Sequence, residues 1–177
     1  MSRQEARIEA TEAGKVPADD GWFILNLSEI AWSTVPGGGT WCEFESPNAR
    51  SPDLGIGVHV LDPGEANGMY HGESNQEGFL VLAGECLLIV EGQERLMKQW
   101  DYFHCPPFTQ HITIGAGDGP CAILMVGVRS PDDQINYPAE PAAAKYGAAV
   151  RKATHSPKEA YEGRPPFGPA RSPFPWA

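Results

Sequence analysis

Apolar and polar residues along the chain follow a short period-two pattern broken at close intervals by glycine and proline. The run LGIGVHVL (54–61) alternates, with Ile56, Val58 and Val60 on one face, and ends at Asp62-Pro63-Gly64. That triplet is a turn signal, because proline presets φ and glycine permits positive φ. Earlier strand signals are WFILNL (22–27) and GTWCEFES (39–46), the second preceded by the breaker PGGG (36–39). From Gln76 the strands crowd together: EGFLVLAG (77–84), ECLLIVEG (85–92) with turns at Gly84 and Gly92, and DYFHC (101–105), which Pro106-Pro107 stop. TQHITIGAGDG and CAILMVGV follow. Many short strands with no interleaved helices predict an all-β sandwich or closed barrel, not a parallel α/β sheet. Both faces of 77–83 are apolar, so a second sheet is expected on one side and a partner subunit on the other.

The pattern divides the chain into three parts. Residues 1–20 are polar and predict a flexible N-terminal arm or a short helix. Residues 21–130 hold the barrel. Residues 131–177 hold an alanine-rich helix within PAEPAAAKYGAAVRKAT (138–154), starting after Pro141, and a Pro-rich tail from 156 carrying Phe167, Phe174 and Trp176. The tail reads equally as a PPII-like solvated end or as an arm laying aromatics onto the barrel or a neighbour.

Composition narrows the function. With 177 residues, 41% apolar and 20% charged, the chain suits one soluble domain. A formal charge of −10 leaves no basic stripe for phosphates, so no nucleic-acid partner is expected. The N-terminus lacks an apolar h-region and no stretch is long and apolar enough for a transmembrane helix; a cytoplasmic protein without a membrane partner is expected. Cys42, Cys86, Cys105 and Cys121 form no CxxC pair and read as free thiols, Cys86 and Cys121 as small core residues.

The chemistry concentrates in residues 71–111. His71 and Glu73 are two apart, so on a strand they share a face; Glu77 follows across SNQ, and His111 opens the strand HITI. Two imidazoles and one or two carboxylates on a barrel wall could hold Fe, Mn, Ni, Co or Zn. His71, Glu77 and His111 alone make a two-His-one-carboxylate face; Glu73 reads as a fourth ligand, a general base or a solvated rim carboxylate. His59 and His104 read as packed or outward-facing, and Trp41, Phe79, Val81 and Phe103 as barrel-lining. Cys105 with His111 as its base would be a nucleophile pair, but a metal-bound imidazole cannot act as that base.

The stretch H-G-E-(x)3-E-(x)6-G over residues 71–84 resembles the first cupin motif, G(x)5HxH(x)3–4E(x)6G. Asp101-(x)4-Pro106-Pro107-(x)3-His111 resembles the second, G(x)5PxG(x)2H(x)3N. The resemblance implies a double-stranded β-helix, the cupin jelly-roll barrel, with one divalent transition metal (Fe, Mn, Ni or Zn) on His71, Glu77 and His111. Glu73 stands where the motif has its second histidine, which makes the site harder and more negative. The first glycine precedes His71 by seven positions and not six. Trp100, Phe108 and Gly115 replace the usual Gly, Gly and Asn, so locally different turns are expected there. The reading is a metal-binding small-molecule enzyme of oxygenase or isomerase type, a homodimer, using Glu73 or Glu77 as proton carrier on an oxygen-chelating substrate. The alternative is a non-catalytic sensor or storage module for a small ligand. No phosphate-cradling loop or basic cluster lies near the motifs, so a strongly anionic substrate is not expected.

Overall fold

Period-two sequence becomes strand almost everywhere between residues 54 and 128 in the computed structural model, which describes residues 3–173. The strands are β1 (Ile8–Ala10), β2 (Lys15–Pro17), β3 (Trp32–Thr34), β4 (Thr40–Glu43), β5 (Leu54–Leu61), β6 (Gly72–Glu73) and β7 (Glu77–Ala83). They continue as β8 (Glu85–Val90), β9 (Gln93–Lys98), β10 (Tyr102–Cys105), β11 (His111–Ala116), β12 (Cys121–Val128), β13 (Ile135–Asn136) and β14 (Gly168–Ala170). Two one-turn helices, α1 (Pro141–Ala144) and α2 (Pro157–Ala160), lie between β13 and β14.

A seven-stranded antiparallel sheet in the order β10-β7-β12-β5-β4-β3-β14 faces a three-stranded sheet, β11-β8-β9. Side chains from both inner faces meet in one core of Leu61, Phe79, Val81, Cys86, Leu88, Met97, Cys105, Cys121 and Ile123. The alternate residues point outward and are themselves covered. Ile89, Ile112 and Ile114 pack under Ala143 and Ala148, while Val58, Val60 and Ala122 pack under Ile30 and Trp32, with Leu82 alongside. The strands are therefore apolar on both faces because the chain's own flanking segments form outer layers.

Several expectations change. WFILNL is not a strand: only Trp22 pairs, by a bridge to Glu5. Asn26 diverts the rest, since its side chain accepts from Ser28 N–H at 2.9 Å and its carbonyl accepts from Ile30 N–H at 3.0 Å. The neighbouring strand is β3, ten residues later. The expected arm or helix within 1–20 contains the β1–β2 hairpin, in register Ile8↔Pro17. The long helix expected over 138–154 stops after one turn. Gly147, at φ 66°, closes it with a Schellman pattern, Ala148 N–H to Ala143 O at 3.1 Å and Gly147 N–H to Ala144 O at 3.1 Å. This seats Ala143 and Ala148 in the outer core. In the tail, Phe167 meets Trp41 edge-on at 5.7 Å and β14 pairs with β3, so that part lies on the barrel. Phe174 and Trp176 lie outside the described residues.

The turns of the second motif keep the glycine-type backbone without glycine. Trp100 has φ 74° and Phe108 φ 66°, both left-handed. A side chain costs about 1–2 kcal/mol in that region. Gly84, at φ 69°, is indispensable by contrast, because a Cβ there would lie 2.5 Å from Pro120 O. Trp100 is 68% exposed and packs little. Trp100→Gly is accordingly expected to raise stability by about 1 kcal/mol, after allowance for glycine's greater freedom when unfolded. Urea denaturation measures it, and an unchanged or lower midpoint counts against relief of strain.

Candidate metal centre

A narrow backbone pair sets the two imidazoles side by side. His71 N–H donates to His111 O at 3.1 Å, and His111 N–H donates to His71 O at 2.8 Å. The rings lie 5.0 Å apart. Strand period places His111 and Thr113 on the inner face of β11 and Ile112 and Ile114 on the outer. Phe79 and Phe103 close on the His111 ring at 5.0 and 5.8 Å, and Tyr137 on His71 at 5.9 Å.

Each ring is oriented by a main-chain carbonyl. His71 Nδ1 is 2.7 Å from Met69 O and His111 Nδ1 is 3.0 Å from Thr109 O. A carbonyl only accepts, so Nδ1 carries the proton in both rings and the Nε2 lone pairs are left to face the site. Glu77, at the start of β7, brings Oε2 to 3.4 Å from His111 Nε2. One donor atom each from His71, Glu77 and His111 lies within 4.8 Å of the others. Glu73, on β6, approaches only His71, with Oε1 3.5 Å from Nε2, and stands outside that mutual group. The SNQ segment is a bend, not a continuation of the strand, and it separates the two carboxylates.

The electrostatics follow from burial and from the crowding of these groups. Burial and the nearby His71 hold the His111 imidazole down at about 4, so it stays neutral. Burial also works against a charge on His71, but the Glu73 hydrogen bond and the Glu77 charge outweigh it and raise its pKa. Burial and the Glu73 charge push Glu77 up to about 7. Two inward lone pairs and a carboxylate repel one another unless a proton or a metal ion sits between them, and imidazole with carboxylate suits a divalent transition metal.

The other candidates fall outside the group. His104 is on the outer, exposed face of β10. His59 is not outward: it shares the inner face of β5 with Leu61, half-buried, and its Nδ1 is shielded with no hydrogen-bond partner. Cys105 lies 3.4 Å from His111 Nδ1, yet burial pushes its thiol up to about 12, which suits a packed side chain and not a nucleophile. Residues 69, 137 and 161 were not legible as site neighbours. They come from loops and from the C-terminal segment, with no motif to mark them. An open cleft of about 940 Å³ reaches the group, bordered by Glu73, Glu77, His59, Asn67, Met125 and Tyr161.

Two facing antiparallel sheets with imidazoles and a carboxylate converging on the inner face define a jelly-roll barrel with a metal-competent donor set. Residues 57–127 match the cupin domain family. Solved structures agree on the fold. A sugar phosphate isomerase of the cupin superfamily from Silicibacter pomeroyi superposes with a TM-score of 0.57 at 18% identity, covering 81% of this chain and 96% of that one. The polyketide cyclase RemF from Streptomyces resistomycificus gives 0.54 at 13% identity, over 63% and 83% of the two chains. KdgF from Halomonas sp. gives 0.51 at 24%, over 63% and 97%. Among curated proteins, no match was found. No helix among the described residues is long and apolar enough to cross a membrane.

Proposed function

We propose that this cupin binds one divalent transition metal through His71, Glu77 and His111 and acts as a small-molecule metalloenzyme of isomerase or oxygenase type. The observation that carries the reading is the pair of carbonyl-anchored imidazoles whose Nε2 atoms converge with the Glu77 carboxylate. Bound there, the metal would supply Lewis acidity to a substrate chelating through two oxygens. The chain's own residues do the rest. The carbonyls of Met69 and Thr109 hold the rings in the ligating tautomer. Phe79 and Phe103 keep water from the buried side of His111.

Glu73 is the residue for moving a proton, because it borders the cleft without joining the three-donor group. The isomerase and cyclase names among the fold neighbours agree with a small-molecule rearrangement without selecting one. Purified protein is expected to hold about one transition metal per chain, as three convergent protein donors require. It is expected to turn over a member of a panel of diols and α-hydroxy acids, tested with and without oxygen. Metal-free protein whose melting temperature ignores added Fe, Mn, Ni or Zn overturns the reading. Metal uptake without turnover favours a binding module instead.

A further inference from the structure

Beside the cleft lies a second cavity, of about 290 Å³, that the donor group does not use. Its floor follows from strand register. Trp41 of β4 pairs with His59 of β5, so both side chains emerge on the same face. Their rings stack with centroids 5.8 Å apart and planes 20° apart. β14 pairs with β3 in register Gly168↔Thr34, and this holds Phe167 edge-on to Trp41 at 5.7 Å. The result is a continuous aromatic wall of three rings.

The opposite side is polar and comes from the end of α2. Tyr161 accepts a hydrogen bond from Met69 N–H at 3.2 Å, which leaves its own hydroxyl proton to donate. Arg164 sits with its guanidinium carbon 5.7 Å from the Tyr161 ring centre. It donates one bond to Gly147 O at 2.8 Å, and no carboxylate among the described residues lies within ion-pair distance of it. In a chain with a formal charge of −10, a cation left without an acidic partner at a cavity wall is an open anion position. His59, whose Nδ1 is shielded and unpartnered, together with Asn67 and Tyr161 lines both this cavity and the cleft that reaches Glu73 and Glu77. The two spaces share a wall.

We infer that this cavity binds a planar aromatic carboxylate, its ring on Trp41 and His59 and its carboxylate on Arg164 and the Tyr161 hydroxyl. A ring gains from stacking on a preformed aromatic wall, and guanidinium matches a carboxylate in a two-point fork. A single carboxylate suits one arginine; a phosphate would call for more positive charge. That the occupant is also the substrate rests on the proposed metal function. An oxygen pair at the far end of the ring would then point along the shared wall toward the three donors.

The probe is benzoate, titrated calorimetrically into the full chain after chelator treatment and again after Mn(II) loading. Binding on the order of 0.1–1 mM is expected for so small a ligand in both states. Cyclohexanecarboxylate, which cannot stack, is expected to bind at least about fivefold more weakly. Arg164→Gln, at a half-buried position, and Phe167→Leu, at an exposed one, are each expected to weaken benzoate by roughly three- to tenfold in a chain that circular dichroism shows folded. Trp41→Leu does the same if circular dichroism shows it folded. His111→Ala strips the metal and leaves benzoate binding unchanged. No benzoate binding by the folded wild-type chain, or binding indifferent to both Arg164→Gln and Phe167→Leu, overturns the inference. Benzoate binding in a chain that takes up no metal upholds the cavity and overturns the metal reading alone. With metal loaded, 3,4-dihydroxybenzoate is expected to gain at least about tenfold over the metal-free chain, since a chelating pair adds metal contacts. Equal affinities with and without metal overturn the substrate assignment.

Discussion

Replacing His111 with alanine is expected to abolish stoichiometric metal binding, lowering affinity by more than the roughly 10–100-fold that loss of an outer-shell partner costs. Removal deletes one of three donors and also the lone side chain through which β11 enters the group. Glu77→Gln keeps the shape, removes the anion, and is expected to cost a comparable factor. The same geometry sets the pH dependence. Burial and the Glu73 charge place the Glu77 carboxyl at about 7 without metal, so below that pH a proton must leave before the metal enters. Affinity is therefore expected to rise with pH between about 6 and 8, the Glu77 proton alone steepening it toward a factor of ten per unit below 7. His71, also raised, adds to the same slope, while His111, held at about 4, is neutral across this range and adds nothing. Competition titrations with a fluorescent chelator at several pH values measure it, and a flat profile counts against Glu77 as a ligand.

Trp32→Ala is expected to cost about 3–5 kcal/mol, enough to endanger folding at ordinary temperatures. Trp32 is 1% exposed and packs with Ile30, Cys42, Val58, Val60 and Ala122 on the outside of the large sheet. Its Nε1–H donates to Leu27 O at 3.0 Å, and the substitution removes that bond along with the packing. Residues 25–32 lie outside the stretch that matches the cupin family. A large loss therefore shows that the flanking layer is part of the domain and no appendage. Urea unfolding of the two proteins decides the matter; a cost below about 1 kcal/mol means the barrel stands without this layer.

The barrel strands were legible because alternation and turn residues are local signals that the fold leaves in place. Val58 and Val60 emerged on one face as the pattern implies, although that face proved to be covered by the chain itself. His71, Glu77 and His111 were legible because motif spacing records strand period and the closing of a barrel. What stayed hidden depends on contacts between distant segments. WFILNL has strand composition, but Asn26 bonds its own backbone and turns the chain away from the sheet. The alanine-rich segment favours helix by propensity, yet Gly147 stops it so that Ala148 can bury. Trp100 and Phe108 looked like the loss of glycine turns; the backbone is retained and the side chains bear the strain. The separation of Glu73 from the three-donor group depends on the bend at 74–75, where the polar run SNQ reads from sequence either as a turn or as continued strand.

Strand order also bears on the timing of folding. β3 becomes an interior strand of the large sheet only when β14 pairs with it, and β14 is made long after β3 leaves the ribosome. Until then β3 is an edge strand, open to pairing with another strand in reach. Closure between such remote segments is slow, because the whole intervening loop must be ordered first. The nascent sheet thus passes through an interval in which β3 is an open border, and the three residues Gly168–Ala170 then cover that border.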